Sequence, residues 1–354
     1  MRTCIHFGTC GGCAYQDMPP DAYRAMKREL VATALERAGL ADAVVEEAVE
    51  IPPFTRRRAV FKAEKRGGET RVGFHAARSH DVVDMRECFV VTPQIFALVG
   101  HLREMMGDLL RDGEEIGIDV TQSLSGFDVA LVGFRVNDSA TRARLAQWAS
   151  KLKLARLGTA KEIVIDLVAP AMRFGNAEVK LPRGAFLQPT REGEAALQER
   201  VVAGVGKAKR VADLFSGCGT FSLVLAQKAR VHALERDGAM LEALAAGARM
   251  TQGLKPVTTE KRDLFKQPLT PPELKGFDAV VLDPPRSGAQ AQAWELTRGK
   301  VRRVVYVSCD PVTFARDARI LVDGGYTMSP VTPVDQFLWS SHIELVASFQ
   351  AKGS

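Results

Sequence analysis

Six cysteines stand out in this 354-residue sequence as the residues best suited to chemistry, and their placing is uneven. Cys309 lies in Val-Val-Tyr-Val-Ser308-Cys309-Asp310-Pro311, where an apolar run stops at Val307 and a polar turn begins. A cysteine at the mouth of a sheet is a candidate nucleophile, because a thiolate both attacks and departs readily. A packed core thiol is the competing possibility and the commoner fate of the residue. Glu344, in His342-Ile-Glu344-Leu-Val, heads a final apolar run. Partial burial there raises a carboxyl pKa and suits it to general-base work; the alternative is a solvated glutamate beside a packed histidine. Cys4, Cys10 and Cys13 form Cys-x5-Cys-Gly-Gly-Cys, and Cys88 is the only other cysteine outside the C-terminal half. Four thiolates of this kind hold a tetrahedral zinc or an iron–sulfur cluster, and spacing alone does not choose between them. Scattered structural thiols fit so tight a cluster less well.

A second group is acidic and glycine-rich. Asp213-Leu-Phe-Ser-Gly217-Cys-Gly219 follows an apolar run and precedes a helical one. A strand, a glycine turn and a helix start bring backbone close to a ligand. No GxGxxG run is present, which disfavours a pyrophosphate-binding dinucleotide site. Glu235 ends the next strand-like run, where an acid can accept hydrogen bonds from both hydroxyls of a ribose. Asp263 stands where a third strand should end and can reach an adenine amino group. An ordinary tight turn with surface acids is the alternative, but the three features together favour a nucleoside-containing cofactor. The fourth run ends in Leu282-Asp283-Pro284-Pro285-Arg286, two prolines making a stiff turn that cannot continue a ladder.

The elements that must position these residues fall into three stretches. Residues 1–44 hold the cysteine cluster and a helix, started by Pro19-Pro20-Asp21 and stopped by Gly39. Tyr23, Met26, Leu30, Ala34 and Leu35 recur at helical spacing between them. Residues 45–185 alternate short apolar runs with turns and predict a mostly antiparallel, β-rich domain. Residues 186–354 alternate strand-like runs with helices, the pattern of a doubly wound, Rossmann-like α/β domain that gathers ligands at its strands' carboxyl ends. The formal net charge of +6 suits a polyanionic partner. Arg56, Arg57, Arg58, Lys62, Lys65, Arg66, Arg71 and Arg78 form a basic stretch interleaved with Phe54, Phe61 and Phe74. Phosphate contact suits the cations, whereas the phenylalanines read better as core. No apolar run is long enough to span a bilayer and the N-terminus lacks a signal peptide's apolar stretch. The expected compartment is the reducing cytoplasm, with no membrane partner and no disulfides.

Taken in order, several segments resemble the RNA (uracil-5)-methyltransferases. They are Gly73-Phe-His-Ala-Ala-Arg78-Ser-His80-Asp-Val-Val-Asp84, Gly184-Ala-Phe186-Leu-Gln188, Asp213 to Ser222, Asp283-Pro-Pro-Arg286, Ser308-Cys-Asp-Pro311 and His342-Ile-Glu344. The pairing of Ser-Cys-Asp-Pro with Asp-Pro-Pro-Arg is the specific part, since the glycine turn is generic to methyltransferases. The resemblance implies an S-adenosylmethionine-dependent enzyme with Cys309 as nucleophile and Glu344 as base. It implies that Gln188, Phe215, Glu235 and Asp283 hold the methyl donor. Uracil C5 is a poor nucleophile, so thiolate addition at C6 must first convert the ring to an enolate. The chain departs from the family at Phe215-Ser216-Gly217, where members often have Tyr-Cys-Gly. Cys218 is given no role. After Gln188 it reads Pro-Thr, where many members have Asn nearby. The N-terminal cysteines resemble those of the iron–sulfur subgroup, which implies a [4Fe-4S] cluster on Cys4, Cys10, Cys13 and Cys88, structural or RNA-positioning in role. With the cluster so near the start, the sequence resembles the 23S ribosomal RNA enzymes that lack an N-terminal RNA-binding barrel. The partner expected on that basis is 23S rRNA, bound by a monomer. A transfer RNA enzyme, a methyltransferase of exocyclic amines and a noncatalytic iron–sulfur RNA-binding module are the rivals. Arg286 and Cys309 disfavour the exocyclic-amine class.

Overall fold

The architecture was obtained from a computed structural model, which describes residues 2–352. An N-terminal segment leads into α1 (Pro20–Arg37), which begins at the second proline of its start signal. Gly39, at φ 76°, closes it in a conformation that costs a side-chain-bearing residue more. The fully buried face of α1 is Lys27, Val31, Ala34 and Leu35, with Met26 and Leu30 only half-buried. A short strand, β1 (Val49–Glu50), follows.

The central sheet comprises β2 (Arg58–Arg66), β3 (Glu69–His75), β4 (Val82–Asp84), β5 (Glu115–Ser123), β6 (Gly126–Val132), β7 (Arg156–Thr159) and β8 (Ile163–Asp166), in the order β4-β3-β2-β5-β6-β7-β8. Along β2, Ala59, Phe61 and Ala63 turn inward while Val60 and Lys62 turn out, the period of two expected of a half-covered strand. Helix α2 (Pro93–Leu109) covers the inner face with Ile95, Leu102 and Met105. The expected mostly antiparallel sheet is in fact mixed. Helix α3 (Ser139–Lys151) carries the chain back from the end of β6, so β7 pairs with β6 in parallel. A hairpin of β9 (Ala171–Phe174) and β10 (Ala177–Lys180) then leads to the last region.

That region contains α4 (Arg191–Val205), β11 (Arg210–Leu214), α5 (Ser222–Leu225), β12 (Arg230–Glu235), α6 (Gly238–Met250), β13 (Val257–Lys261), α7 (Pro271–Leu274), β14 (Ala279–Leu282), α8 (Gln290–Gly299), β15 (Arg303–Ser308), α9 (Pro311–Asp323), β16 (Tyr326–Met328), β17 (Thr332–Asp335) and β18 (Glu344–Ala351). The large sheet runs β1-β17-β18-β15-β14-β11-β12-β13, with β16 on β18. Strands β15, β14, β11, β12 and β13 are parallel, and β18 is antiparallel to β15. From β11 the chain proceeds to β12 on one side and later to β14 on the other. The crevice at this reversal is where open α/β sheets bind ligands. Val49 and Glu50 pair with Val334 and Asp335, so β1 joins the large sheet, and α1 lies over α9 and β17. No helix among the described residues is long and apolar enough to cross a membrane.

Candidate active site

Two groups of side chains meet at the carboxyl edge of the large sheet. On the β11 side, Asp213 is fully buried, and its Oδ2 accepts from Ser222 Oγ at 2.5 Å. Burial pushes its carboxyl up to about 7. Its Oδ1 and the hydroxyl of Ser216 are buried without a hydrogen-bond partner among the described residues. The turn that follows passes through positive φ at Phe215 (63°), Gly217 (53°) and Gly219 (96°). A Cβ on Gly219 would stand 2.8 Å from Leu244, whereas nothing lies within 4 Å of one on Gly217. Glu235 ties the next loop to this turn: Oε2 accepts from the Gly217 amide at 3.2 Å, and Oε1 accepts from Arg236 and Asp237 at 2.7 and 3.0 Å. Asp263, two residues past β13, accepts from the Phe265 amide at 3.1 Å. The Phe265 ring in turn lies 5.4 Å from that of Phe215. Glu235, through the Gly217 amide, and Asp263, through Phe265 and its ring contact with Phe215, are thus joined to the turn after β11. Its open glycine face and two orphaned buried oxygens fit a polar, nucleoside-bearing ligand.

On the β14 side the polar groups form a connected run. Gln188 Nε2 donates to Asp283 Oδ2 at 3.4 Å. Gln336 Nε2 donates both to Gln188 Oε1 at 2.7 Å and to Glu344 Oε2 at 3.2 Å. Glu344, the first residue of β18, is buried, and loss of hydration raises its carboxyl well above the usual range. Asp283 is raised too, by desolvation and then by the charge of Glu344. Gln188 is pinned from the central domain, because Arg57 donates to its carbonyl at 3.1 Å and pairs with Glu194 of α4 at 2.6 Å.

Cys309 sits between β15 and α9, where Asp310 caps the helix by accepting from Val312 and Thr313 at 3.0 Å each. The thiol is half-buried. Burial pushes it up to about 11, Glu344 and Asp283 act in the same direction, and Arg286 opposes them. In the free protein at neutral pH it is therefore protonated. Arg286 donates to His342 Nδ1 at 2.7 Å. Burial and the cations Arg286, Lys27 and Arg56 keep His342 below its usual pKa, so it is neutral here.

One cavity of about 630 Å³ joins these groups to the N-terminal cysteines. Cys309, Glu344, Arg286 and His342 line one part of its wall, and Cys4, Cys10, Cys13 and Cys88 another. Burial raises the pKa of all four N-terminal thiols, Cys13 to about 12, and each feels the charge of at least one of the others. Among the described residues no three His, Cys, Asp or Glu side chains are gathered so as to hold a metal ion. Cys4, Cys10, Cys13 and Cys88 thus line one cavity without converging on a single point among the described residues. Backbone groups orient two of them, Cys4 donating to the Glu87 carbonyl and the Gly12 amide donating to Cys10. The basic stretch also differs from expectation. Arg57, Lys62 and Arg71 pair with carboxylates, and Lys65 donates to the Gly107 carbonyl. Arg56 and Arg58 instead line the cavity, over the rings of Phe337 and Phe186. Phe61 is core, and the ring of Phe74 lies tilted against it at 5.1 Å.

Sequence reasoning assigned no part to Gln336, which links Gln188 to Glu344, nor to the contact between Arg286 and His342. The available signal was the polar pair Asp335-Gln336 closing the apolar run Val331-Thr-Pro-Val334, every residue of which is buried.

Residues 248–351 match the family described as tRNA (Uracil-5-)-methyltransferase. A Brucella suis protein named as an RNA methyltransferase is 48% identical over 346 residues, 97% of this chain and 83% of the relative. The 23S rRNA (uracil(1939)-C(5))-methyltransferase RlmD of Pseudomonas putida is 32% identical over 365 residues, 98% of this chain and 79% of that protein. The tRNA (uracil-54, C5)-methyltransferase of Pyrococcus abyssi, solved in complex with S-adenosyl-L-homocysteine, shares the fold with a TM-score of 0.75, at 22% identity, over 98% of this chain and 86% of its own. Near-complete coverage by relatives at these identities shows that the chain belongs to the RNA (uracil-5)-methyltransferase family, built on the α/β fold of the S-adenosylmethionine-dependent methyltransferases.

Proposed function

We propose that this enzyme methylates C5 of a uridine in 23S rRNA, with S-adenosylmethionine as donor and a transient bond between Cys309 and C6. The carrying observation is that Cys309 and Glu344 share one cavity, with Asp283, Gln188 and Gln336 linked to Glu344 by hydrogen bonds. Phe215, Glu235 and Asp263 would hold the donor from the β11 side of the sheet edge, and Gln188 and Asp283 from the β14 side. When bound, the donor supplies an electrophilic methyl group. Cys309 first loses its proton to solvent, a step that the Arg286 cation favours. Its sulfur electron pair then bonds to C6, and the C5–C6 π pair moves into an enolate ending on the C4 oxygen. The enolate pair at C5 then bonds to the methyl carbon, and the pair of the broken methyl–sulfur bond stays with the departing thioether product. Glu344 then removes the C5 hydrogen, the C5–C6 double bond re-forms, and the C6–S pair returns to Cys309. Burial suits Glu344 to the task, since it makes the carboxylate a stronger base. The target base must leave its stack to reach this cavity.

Preference for 23S rRNA over tRNA rests on the Pseudomonas putida relative, similar across nearly the whole chain, and on the N-terminal cysteines. We assign Cys4, Cys10, Cys13 and Cys88 to a [4Fe-4S] cluster. Thiols that open on a shared space suit a body of several irons better than a single zinc ion, which needs its ligands drawn to one point. When bound, it would cross-link the N-terminal segment to residue 88. Anaerobically purified protein should carry about four irons per chain, and Cys13→Ser should lose them. The function itself is tested with labelled donor and RNA from cells lacking the protein. Methyl incorporation into 23S rRNA as 5-methyluridine is expected, whereas incorporation into tRNA alone would replace the ribosomal assignment.

A further inference from the structure

We propose that Lys27, on α1, is a positioning residue for removal of the C5 proton. The proposal rests on the assignment of Glu344 as base. Lys27 is only 1% exposed, and its ammonium pairs with Asp335 Oδ1 at 2.6 Å. It also donates to the carbonyls of His342 at 2.6 Å and Phe337 at 3.2 Å. Tyr23, one turn earlier on the helix, donates its hydroxyl to Asp335 Oδ2 at 2.6 Å and accepts from the Trp339 amide at 2.8 Å. The amides of Ala14 and Tyr15, just past Cys13, donate to the Trp339 carbonyl. Both ends of the loop between β17 and β18 are thereby tied to one buried cation. That loop carries Gln336, which holds Glu344 and Gln188, and it runs directly into Glu344. Cys309 has separate support, from β15 and the cap of α9. Lys27 therefore bears more directly on the base than on the nucleophile, which it reaches only through His342 and Arg286. Addition of sulfur to C6 and methyl transfer proceed without it. Transfer of the C5 hydrogen to Glu344, which re-forms C5–C6 and returns the C6–S pair to sulfur, depends on it.

The test compares full-length Lys27→Met with wild type, using S-adenosylmethionine and 23S rRNA from cells lacking the protein. Turnover, melting temperature and the covalent protein–RNA band on a denaturing gel are read together. Turnover should fall roughly 10- to 100-fold, the scale of misplacing a reacting group, while the band grows severalfold. Lys27→Met leaves the buried Asp335 carboxylate without its cation, with only the Tyr23 hydroxyl as donor, a strongly destabilising state. Lys27→Met/Asp335→Asn removes that charge and should melt close to wild type with the same excess adduct. Loss of turnover without excess adduct in the folded double variant overturns the proposal. Glu344→Gln separates the two ideas. If it accumulates adduct and the Lys27 variants do not, only the positioning role fails; if it accumulates none, the assignment of the base fails.

Discussion

Cys218 and Cys309 occupy equivalent places, each in the turn beyond a parallel strand at the same edge of the sheet, yet their surroundings diverge. Cys218 is 1% exposed in an apolar cluster with Phe174, Val179 and Leu223, and burial pushes its thiol up to about 12. Cys309 opens on the cavity, with Arg286 opposing the rise and a buried carboxyl group beside it. The two thiols are nearly alike in acidity. What separates them is access, together with a base able to complete a reaction cycle. A cysteine in a turn at a strand end is therefore not reactive by motif; the cavity and its carboxylate make the difference.

The largest expected effect is on the cysteines themselves. Cys309→Ala should lower methyl transfer by about three orders of magnitude or more and form no protein–RNA adduct, as loss of a covalent nucleophile requires. Cys218→Ala should change turnover less than about twofold, and equal losses in the two variants would erase the contrast. Next comes the base: Glu344→Gln should cost roughly 10²- to 10⁴-fold in turnover and trap the adduct on a denaturing gel. Gln336→Leu should follow at about tenfold, measured as kcat, because it frees Glu344 and leaves Gln188 without its donor. A smaller effect concerns pH. Below its pKa of about 11 Cys309 is mostly thiol, so its iodoacetamide labelling in free protein should rise about tenfold per unit from about pH 7 to about pH 9. Arg286→Met removes a charge that lowers that pKa and should slow labelling several-fold at fixed pH. Turnover should also fall as pH drops through the raised range of Glu344, since the protonated carboxyl cannot accept a proton. Least of all, Cys218→Ala should cost about 1 kcal/mol of stability, read from denaturant melts, as a small core truncation.

Most of the large sheet was legible because its strands are short apolar runs that end in polar turns. Val211, Val231, Ala279 and Val304 all fall inside observed parallel strands, and Asp213, Glu235, Asp283 and Cys309 all lie at their carboxyl ends. Helix α1 was legible from its proline start and glycine stop. Its inner face was less so: Lys27 is the kind of residue that normally stays in water, and only the carboxylate of Asp335, far along the chain, makes its burial tolerable. The parallel pairing of β6 with β7 was hidden for a related reason, since local alternation fixes which face is inward but not which way a neighbour runs. Gln336 escaped because a glutamine after an apolar run reads as the start of a turn, and its two partners come from residue 188 and residue 344.

The pairing of β1 with β17 has a consequence for biosynthesis. The strand containing Val49 is made well before its neighbour at Val334, with the whole central sheet encoded between them. That sheet can assemble while the nascent chain is still being extended; the edge of the large sheet must wait. An excised fragment covering 186–354 would lack both β1 and the cover of α1. It would present the bare margin of β17 to other copies, so such a truncation should clump where the intact chain does not.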